Sequence, residues 1–146
     1  MFLVLINKDG ELLVQDKPMD IDDLHQAALD FIDNGGGSGS NTCSYCMGPK
    51  DPKSSENPKK AVVSLQYDRQ TKYGKYIAVQ NEVMAAYNEL RDRIAQSEYG
   101  VKFSQLEQDA TDDRKSDAEK ENAKKKRERV RELYPLNISE AKPDRV

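Results

Sequence analysis

Apolar residues are dense over residues 2–32, 61–106 and 133–141 and sparse over 33–60 and 107–132. The dense stretches are expected to build the folded domain, and the sparse ones to be insertions. Phe2 to Ile6 is a short apolar run, Glu11 to Val14 is another, and Asn7-Lys8-Asp9-Gly10 separates them. Asp-Gly at that place predicts a β-hairpin over 2–14, because both turn positions tolerate positive φ. A second turn is expected at Gln15-Asp16-Lys17-Pro18. Ile21, Leu24, Ala28, Phe31 and Ile32 then repeat at the helical period, which predicts an amphipathic helix over 20–33. Asp20 suits its N-cap, Asp23 its first turn, and Asn34-Gly35 its end.

Residues 34–60 predict a long loop. Gly35 to Ser40 reads as a flexible Gly/Ser stretch of linker-like composition, and Pro49, Pro52 and Pro58 bar regular structure after it. Residues 61–66 are apolar and β-branched enough to predict a strand central in its sheet. Residues 73–96 predict the longest helix, with Thr71 as its N-cap and Tyr99-Gly100 as its stop. Its apolar stripe runs through Tyr76, Ile77, Val83, Met84, Tyr87, Leu90 and Ile94, and Gln80 alone interrupts it. Leu136 to Ala141 alternates apolar and polar residues between Pro135 and Pro143, the pattern of a half-buried edge strand.

The order is therefore β-β-α-loop-β-α-polar helix-β. It predicts an α+β fold: a two-layer sandwich with two amphipathic helices packed on one face of a small mixed sheet. A long Cys-containing loop and an extra charged helix are added to that frame. With 146 residues, one domain spanning 1–146 is expected.

Composition sharpens the picture in two ways. Only 36% of residues are hydrophobic while 34% are charged, so part of the chain is expected to lie outside a packed core. Residues 107–132 carry nine acidic and nine basic side chains, and only Ala110, Ala118, Ala123 and Val130 are apolar. That composition predicts a solvated helix that packs little. The net charge of −3 argues against a strongly basic nucleic-acid binder and against an electrostatic membrane anchor. The longest apolar run, Phe2 to Ile6, is far short of the roughly 20 residues that span a bilayer. No basic n-region, long h-region or cleavage site opens the chain, so a targeting segment is expected upstream.

Chemistry-bearing motifs are few. No G-x-G-x-x-G, P-loop, H-E-x-x-H or G-x-S-x-G pattern occurs, and no cofactor is expected. Cys43-Ser44-Tyr45-Cys46 is a C-x-x-C pair, open to three readings. A redox dithiol wants a helix start after a strand, which this loop does not supply. A zinc site wants four ligands, or three with water, where the chain holds two Cys and the single His25. A local disulfide is the reading we favour, and it needs an oxidising compartment; composition does not separate it from two idle thiols. His25 has no Ser or Cys nucleophile near it in sequence and reads as a partly exposed helix residue. Asp68-Arg69-Gln70-Thr71-Lys72-Tyr73-Gly74 joins the third strand to the second helix. It is either a plain turn or a partner-binding loop, with Asp68 closing the strand and the Tyr73 ring packing.

These residues together resemble the periplasmic domain of the ExbD/TolR family, accessory subunits of proton-driven inner-membrane motors. The likeness runs through Leu5-Ile6-Asn7-Lys8-Asp9-Gly10-Glu11-Leu12-Leu13-Val14, the turn ending at Pro18, and Asp22-Asp23-Leu24 at the first helix. Its most specific part is Val62-Val63-Ser64-Leu65-Gln66-Tyr67-Asp68-Arg69-Gln70-Thr71-Lys72-Tyr73-Gly74, continued by Val79 and Met84. The closing strand before a Pro matches as well. About two-thirds of the chain is covered. Two features depart from the family's plan: the longer 34–60 loop and the charged 107–132 segment. The latter stands where members have a strand directly after the second helix, for which Val101 to Phe103 is a poor substitute.

The resemblance implies a non-enzymatic module of a TonB-type transport system, in the periplasm, carried by a single-pass inner-membrane protein whose transmembrane helix lies upstream. It implies a homodimer, an ExbB-like membrane partner reached through that helix, and a TonB-like transducer. A Tol-type relative would instead anchor to peptidoglycan, and a thiol-disulfide protein using Cys43 and Cys46 is the remote alternative. A periplasmic location also supports a Cys43–Cys46 disulfide. The partner strip expected from it comprises Leu136, Asn137, Ile138, Ser139 and Glu140, with Asp68, Arg69 and Tyr73 beside it.

Overall fold

In the computed structural model, which describes residues 1–141, five strands and four α-helices follow the predicted order with two additions. The strands are β1 (Phe2–Ile6), β2 (Leu12–Val14), β3 (Lys17–Met19), β4 (Val63–Tyr67) and β5 (Ile138–Ala141). The helices are α1 (Ile21–Ile32), α2 (Tyr73–Tyr99), α3 (Phe103–Thr111) and α4 (Asp117–Leu133). Pro143, expected to limit the last strand, lies outside the described residues. The chain divides into two compact units. One comprises residues 1–86 with the closing strand, and the other Tyr87–Leu136.

The first unit is an α+β two-layer fold on a mixed five-stranded sheet of order β3-β2-β1-β4-β5. β2 runs antiparallel to β1 and β3, whereas β1, β4 and β5 are parallel. Period-two alternation puts Phe2, Val4, Ile6, Leu12, Val14, Val63 and Leu65 on one buried face. α1 covers that face with Leu24, Ala28, Phe31 and Ile32, and the first half of α2 with Val79, Val83 and Ala86. The Phe2 and Phe31 rings meet at 5.1 Å and those of Tyr67 and Tyr76 at 4.5 Å, so both helices lie on the same face. Leu3, Leu5, Leu13 and Gln66 on the opposite face are only half-buried.

Local chemistry explains several departures from the sequence reading. The first hairpin closes through a three-residue loop, not a two-residue turn. Asn7 N donates to Glu11 O and Gly10 N to Asn7 O, and only Gly10 has positive φ (80°). The Asn7 carboxamide oxygen takes the amides of Asp9 and Glu11. The expected second turn is itself a hairpin: Gln15 (φ 51°) and Asp16 (φ 66°) turn the chain into β3, a strand the sequence reading missed. β3 is an edge strand, the position in which Pro18 is tolerated. Asp20 holds the N-cap position of α1, but its side chain makes no capping bond. Thr71 does not cap α2. Its hydroxyl bonds the Ile6 and Asn7 carbonyls at 3.1 and 3.0 Å, tying the strand-to-helix loop to the first hairpin.

The 34–60 segment is held by a hydrogen-bonded hub, which overturns the linker reading for Gly35 to Gly37, while Ser38 to Ser40 are exposed. Asp33 and Asn34, 3% and 1% exposed, are its hub. Asp33 accepts from the amides of Met47 and Gly48, while the Asn34 side chain bonds Asp51 N, Asp51 O and Ser55 O. Gly36 N and Gly37 N donate to the carbonyls of Ser55 and Glu56. A Cβ on Gly36 would overlap the Asp51 carbonyl oxygen, and one on Gly37 that of Asn41. The glycines are there because backbone meets backbone. Cys43 and Cys46, both buried, are disulfide-bonded within this loop.

The second unit corrects one further expectation. Residues 101–103 form no strand, in keeping with their poor match to the family's strand, and Phe103 opens α3, its amide donating to the Asp92 carboxylate. The charged segment is not one loosely packed helix. It breaks between Thr111 and Asp117, and α4 restarts on a Ser116 cap that accepts from Glu119 N while its hydroxyl donates to the Glu119 carboxylate. Leu106, Ala110, Ala123, Val130 and Leu133 are buried together with Leu90, Ile94 and Ala95 of α2. Few apolar residues suffice because Arg91, 7% exposed, donates to the Tyr134 carbonyl and stacks 5.3 Å over Phe103. Burial, then the nearby Arg131 guanidinium, lowers the Arg91 pKa.

Candidate functional site

β5 is an edge strand, and its register states which backbone groups it offers. Val63 pairs with Ile138 and Leu65 with Glu140, and Val63 N donates to Asn137 O at 2.9 Å. In a parallel ladder, alternate residues of a strand turn both main-chain groups to the same neighbour. Ser139 thus faces β4, while the N–H and C=O of Ile138 and Glu140 face outward, where no strand pairs with them among the described residues. The strand is shorter than the expected 136–141. Leu136 precedes it, 44% exposed, and Asn137 is spent on structure, its side-chain amide donating to Lys59 O at 3.0 Å.

The Glu140 side chain, directed to the helix-covered face by its pairing with Leu65, is held from α2. Gln80 Nε2 donates to Glu140 Oε1 at 2.7 Å, and the Tyr76 hydroxyl also bonds this carboxylate. Burial first, then that bond and the Glu140 charge, push the Tyr76 pKa far above the usual tyrosine range. Tyr76 and Gln80 are therefore what fix β5 to the helix layer. The sequence reading passed over this role. Its signal was Gln80, the one polar break in the apolar stripe.

The Asp68–Tyr73 loop follows β4 at the end where Gln66 pairs with Ala141. Asp68 is 8% exposed and buried by the turn it makes: its amide donates to Ile6 O, and its carboxylate accepts from Gln70 N at 2.8 Å. Arg69 is exposed. The expected packing of the Tyr73 ring is not seen, for Tyr73 is 77% exposed. The structure thus brings Glu140 to the loop's end of the sheet, while Asn137 lies at the other end, about 10 Å away at 3.3 Å per residue. The predicted residues form a strip along an edge and not a pocket. His25 lies 3.9 Å from Glu82 on the helix layer. Among the described residues no acidic, Cys or His cluster is placed to hold a metal ion, and no helix is long and apolar enough to cross a membrane.

No protein-family model matches this chain, and no curated protein shows significant similarity to it.

Proposed function

We propose that this chain is the periplasmic part of an ExbD/TolR-like subunit of a proton-driven inner-membrane motor. In this reading it is a coupling module without catalytic activity that takes an extended segment of a TonB-like transducer onto the edge of β5. The observation that carries the reading is the outward-facing backbone of Ile138 and Glu140 on a strand pinned in place by Tyr76 and Gln80. Main-chain hydrogen bonds supply affinity in strand addition, and a fixed edge avoids the ordering cost that a frayed one would carry. Exposed Arg69 and Tyr73 at one end of the strip offer side-chain contacts for register.

Proline scanning tests this directly. Ile138→Pro removes an outward N–H and leaves the β4–β5 ladder whole, whereas Ser139→Pro removes an inward one and opens that ladder. The labelled chain is titrated with the periplasmic segment of its own TonB-like transducer, and backbone amide shifts are followed. Shifts confined to 138–141 and 68–73, weakened roughly tenfold in Ile138→Pro with its fold intact, are the expected result. Undiminished binding by folded Ile138→Pro refutes strand addition. Sedimentation equilibrium of the same variant reports whether the homodimer uses that edge too.

A further inference from the structure

We propose that the recess beside the first hairpin loop binds a phosphate-bearing anion. The recess has a volume of about 410 Å³ and is lined by Lys8, Asp9, Gly10, Lys72 and Lys75. It lies at the hairpin-loop end of the central strand β1, beside the Asp68–Tyr73 loop that supplies Lys72, and it does not depend on the coupling reading above.

The fold fixes the backbone around this recess, from which the exposed Lys8 and Lys72 extend. The Thr71 hydroxyl locks the residues before α2 onto the Ile6 and Asn7 carbonyls, which sets Lys72 against the hairpin loop. Gly10 turns at φ 80° and the Lys75 stem lies across it: a Cβ at Gly10 would stand 3.5 Å from Lys75 Cγ and 3.8 Å from Cε. Lys8 comes from the loop itself.

Charge gives the recess its meaning. The chain as a whole is acidic, at −3, and many of its basic side chains are paired, Lys60 with Glu56, Lys115 with Asp109 and Glu119, and Lys120 with Asp113. None of the ion pairs among the described residues uses Lys8, Lys72 or Lys75. Three ammonium groups against one carboxylate, Asp9, leave the recess at +2. Glu11 and Asp20 line the adjoining hollow, which shares Lys75 and Gly10, and so bound the positive zone on that side. Like charges gathered without counter-charges repel, and an anion relieves that repulsion.

The lining also suits this type of anion. Its cations are all lysines, and ammonium groups act as separate point charges that can surround a tetrahedral phosphate, whose oxygens accept from several directions. A soluble phosphorylated molecule and a phospholipid headgroup share that chemistry.

The test uses two probes on the whole chain, at constant ionic strength. Pyrophosphate is titrated while the amides of Lys8, Gly10, Lys72, Gly74 and Lys75 are followed, and sedimentation is measured with phosphatidylcholine vesicles containing or lacking phosphatidylglycerol. We expect saturable shifts at those amides with half-saturation near 1 mM or below, weakened at least tenfold in Lys72→Gln/Lys75→Gln. Lys8→Gln serves as an independent second variant, and circular dichroism checks that each is folded. Vesicle binding that requires phosphatidylglycerol and is lost in the variants assigns the site to a headgroup; pyrophosphate binding without vesicle binding assigns it to a soluble phosphate. Shifts that stay linear in concentration, or binding to either probe that survives in both folded variants, overturn the proposal.

Discussion

Gly36→Ala separates a packed loop from a flexible linker, and the structure sets its magnitude. An added Cβ would overlap the Asp51 carbonyl oxygen, lie 2.9 Å from the carbon of that carbonyl, and 2.7 Å from Asn34 Nδ2. Carbon atoms pack at about 3.5–4.0 Å, so residue 51 must retreat by roughly 0.6–1.1 Å. It cannot do so without loosening the bonds between Asn34 Nδ2 and Asp51 O (2.9 Å) and between Asp51 N and Asn34 Oδ1 (3.0 Å), with Gly36 N to Ser55 O (2.9 Å) beside them. Three hydrogen bonds at about 1 kcal/mol each give a destabilisation of about 3 kcal/mol, the upper end of what overpacking costs. Two other glycines calibrate it. Gly39 has open space but φ of 58°, so its alanine variant should cost about 1 kcal/mol. Gly74 has open space and a helical position, so its alanine variant should stabilise by about 0.5–1 kcal/mol. Urea unfolding followed by circular dichroism ranks the three. Equal effects of Gly36→Ala and Gly39→Ala would refute the packed-loop argument.

Two further outcomes are expected. Replacing Cys43 and Cys46 together by Ser should lower stability by about 2 kcal/mol, the loop-entropy value for so short a closed loop; the same urea assay checks it, and dithiothreitol should shift wild type but not the variant. Because the folded-state pKa of Tyr76 is raised, the folded chain holds that proton more tightly than the unfolded one. Stability from this source is whole below the unfolded value of about 10 and is lost as pH rises from there toward the folded-state value. Tyr76→Phe should flatten the alkaline decline, read as urea midpoints between about pH 9 and 11, whereas an unchanged slope would show that Tyr76 is not coupled to folding.

The periodic elements were legible in the sequence because their signals are local. The apolar runs of β1 and β4, the stripe of α1 and the Tyr99-Gly100 stop of α2 each report on a few neighbouring residues. β3 was not legible, since three residues with a proline carry no alternation to detect. The loop glycines misled because composition registers freedom of the backbone and not the partner that approaches it; Asp51 is 15 positions from Gly36. The α3–α4 unit misled for a related reason. Arg91 and Arg131, over the Phe103 ring, fill space that a hydrophobicity count assigns to solvent. At the candidate site the edge strand was legible, and its side-chain anchors on α2 were visible only as an unexplained glutamine.

The parallel run of β1, β4 and β5 has a mechanical meaning. Phe2, Val63 and Ile138 share one end of the sheet, and Leu5, Gln66 and Ala141 lie toward the other. Tension applied to the start of β1 and to the end of β5 therefore acts along the strands in opposite senses. Two ladders, of five and four paired residues, lie in series between those points. Each is loaded in shear, so its hydrogen bonds share the force and do not peel one at a time. The antiparallel β2 and β3 stand outside that line and carry no part of the load.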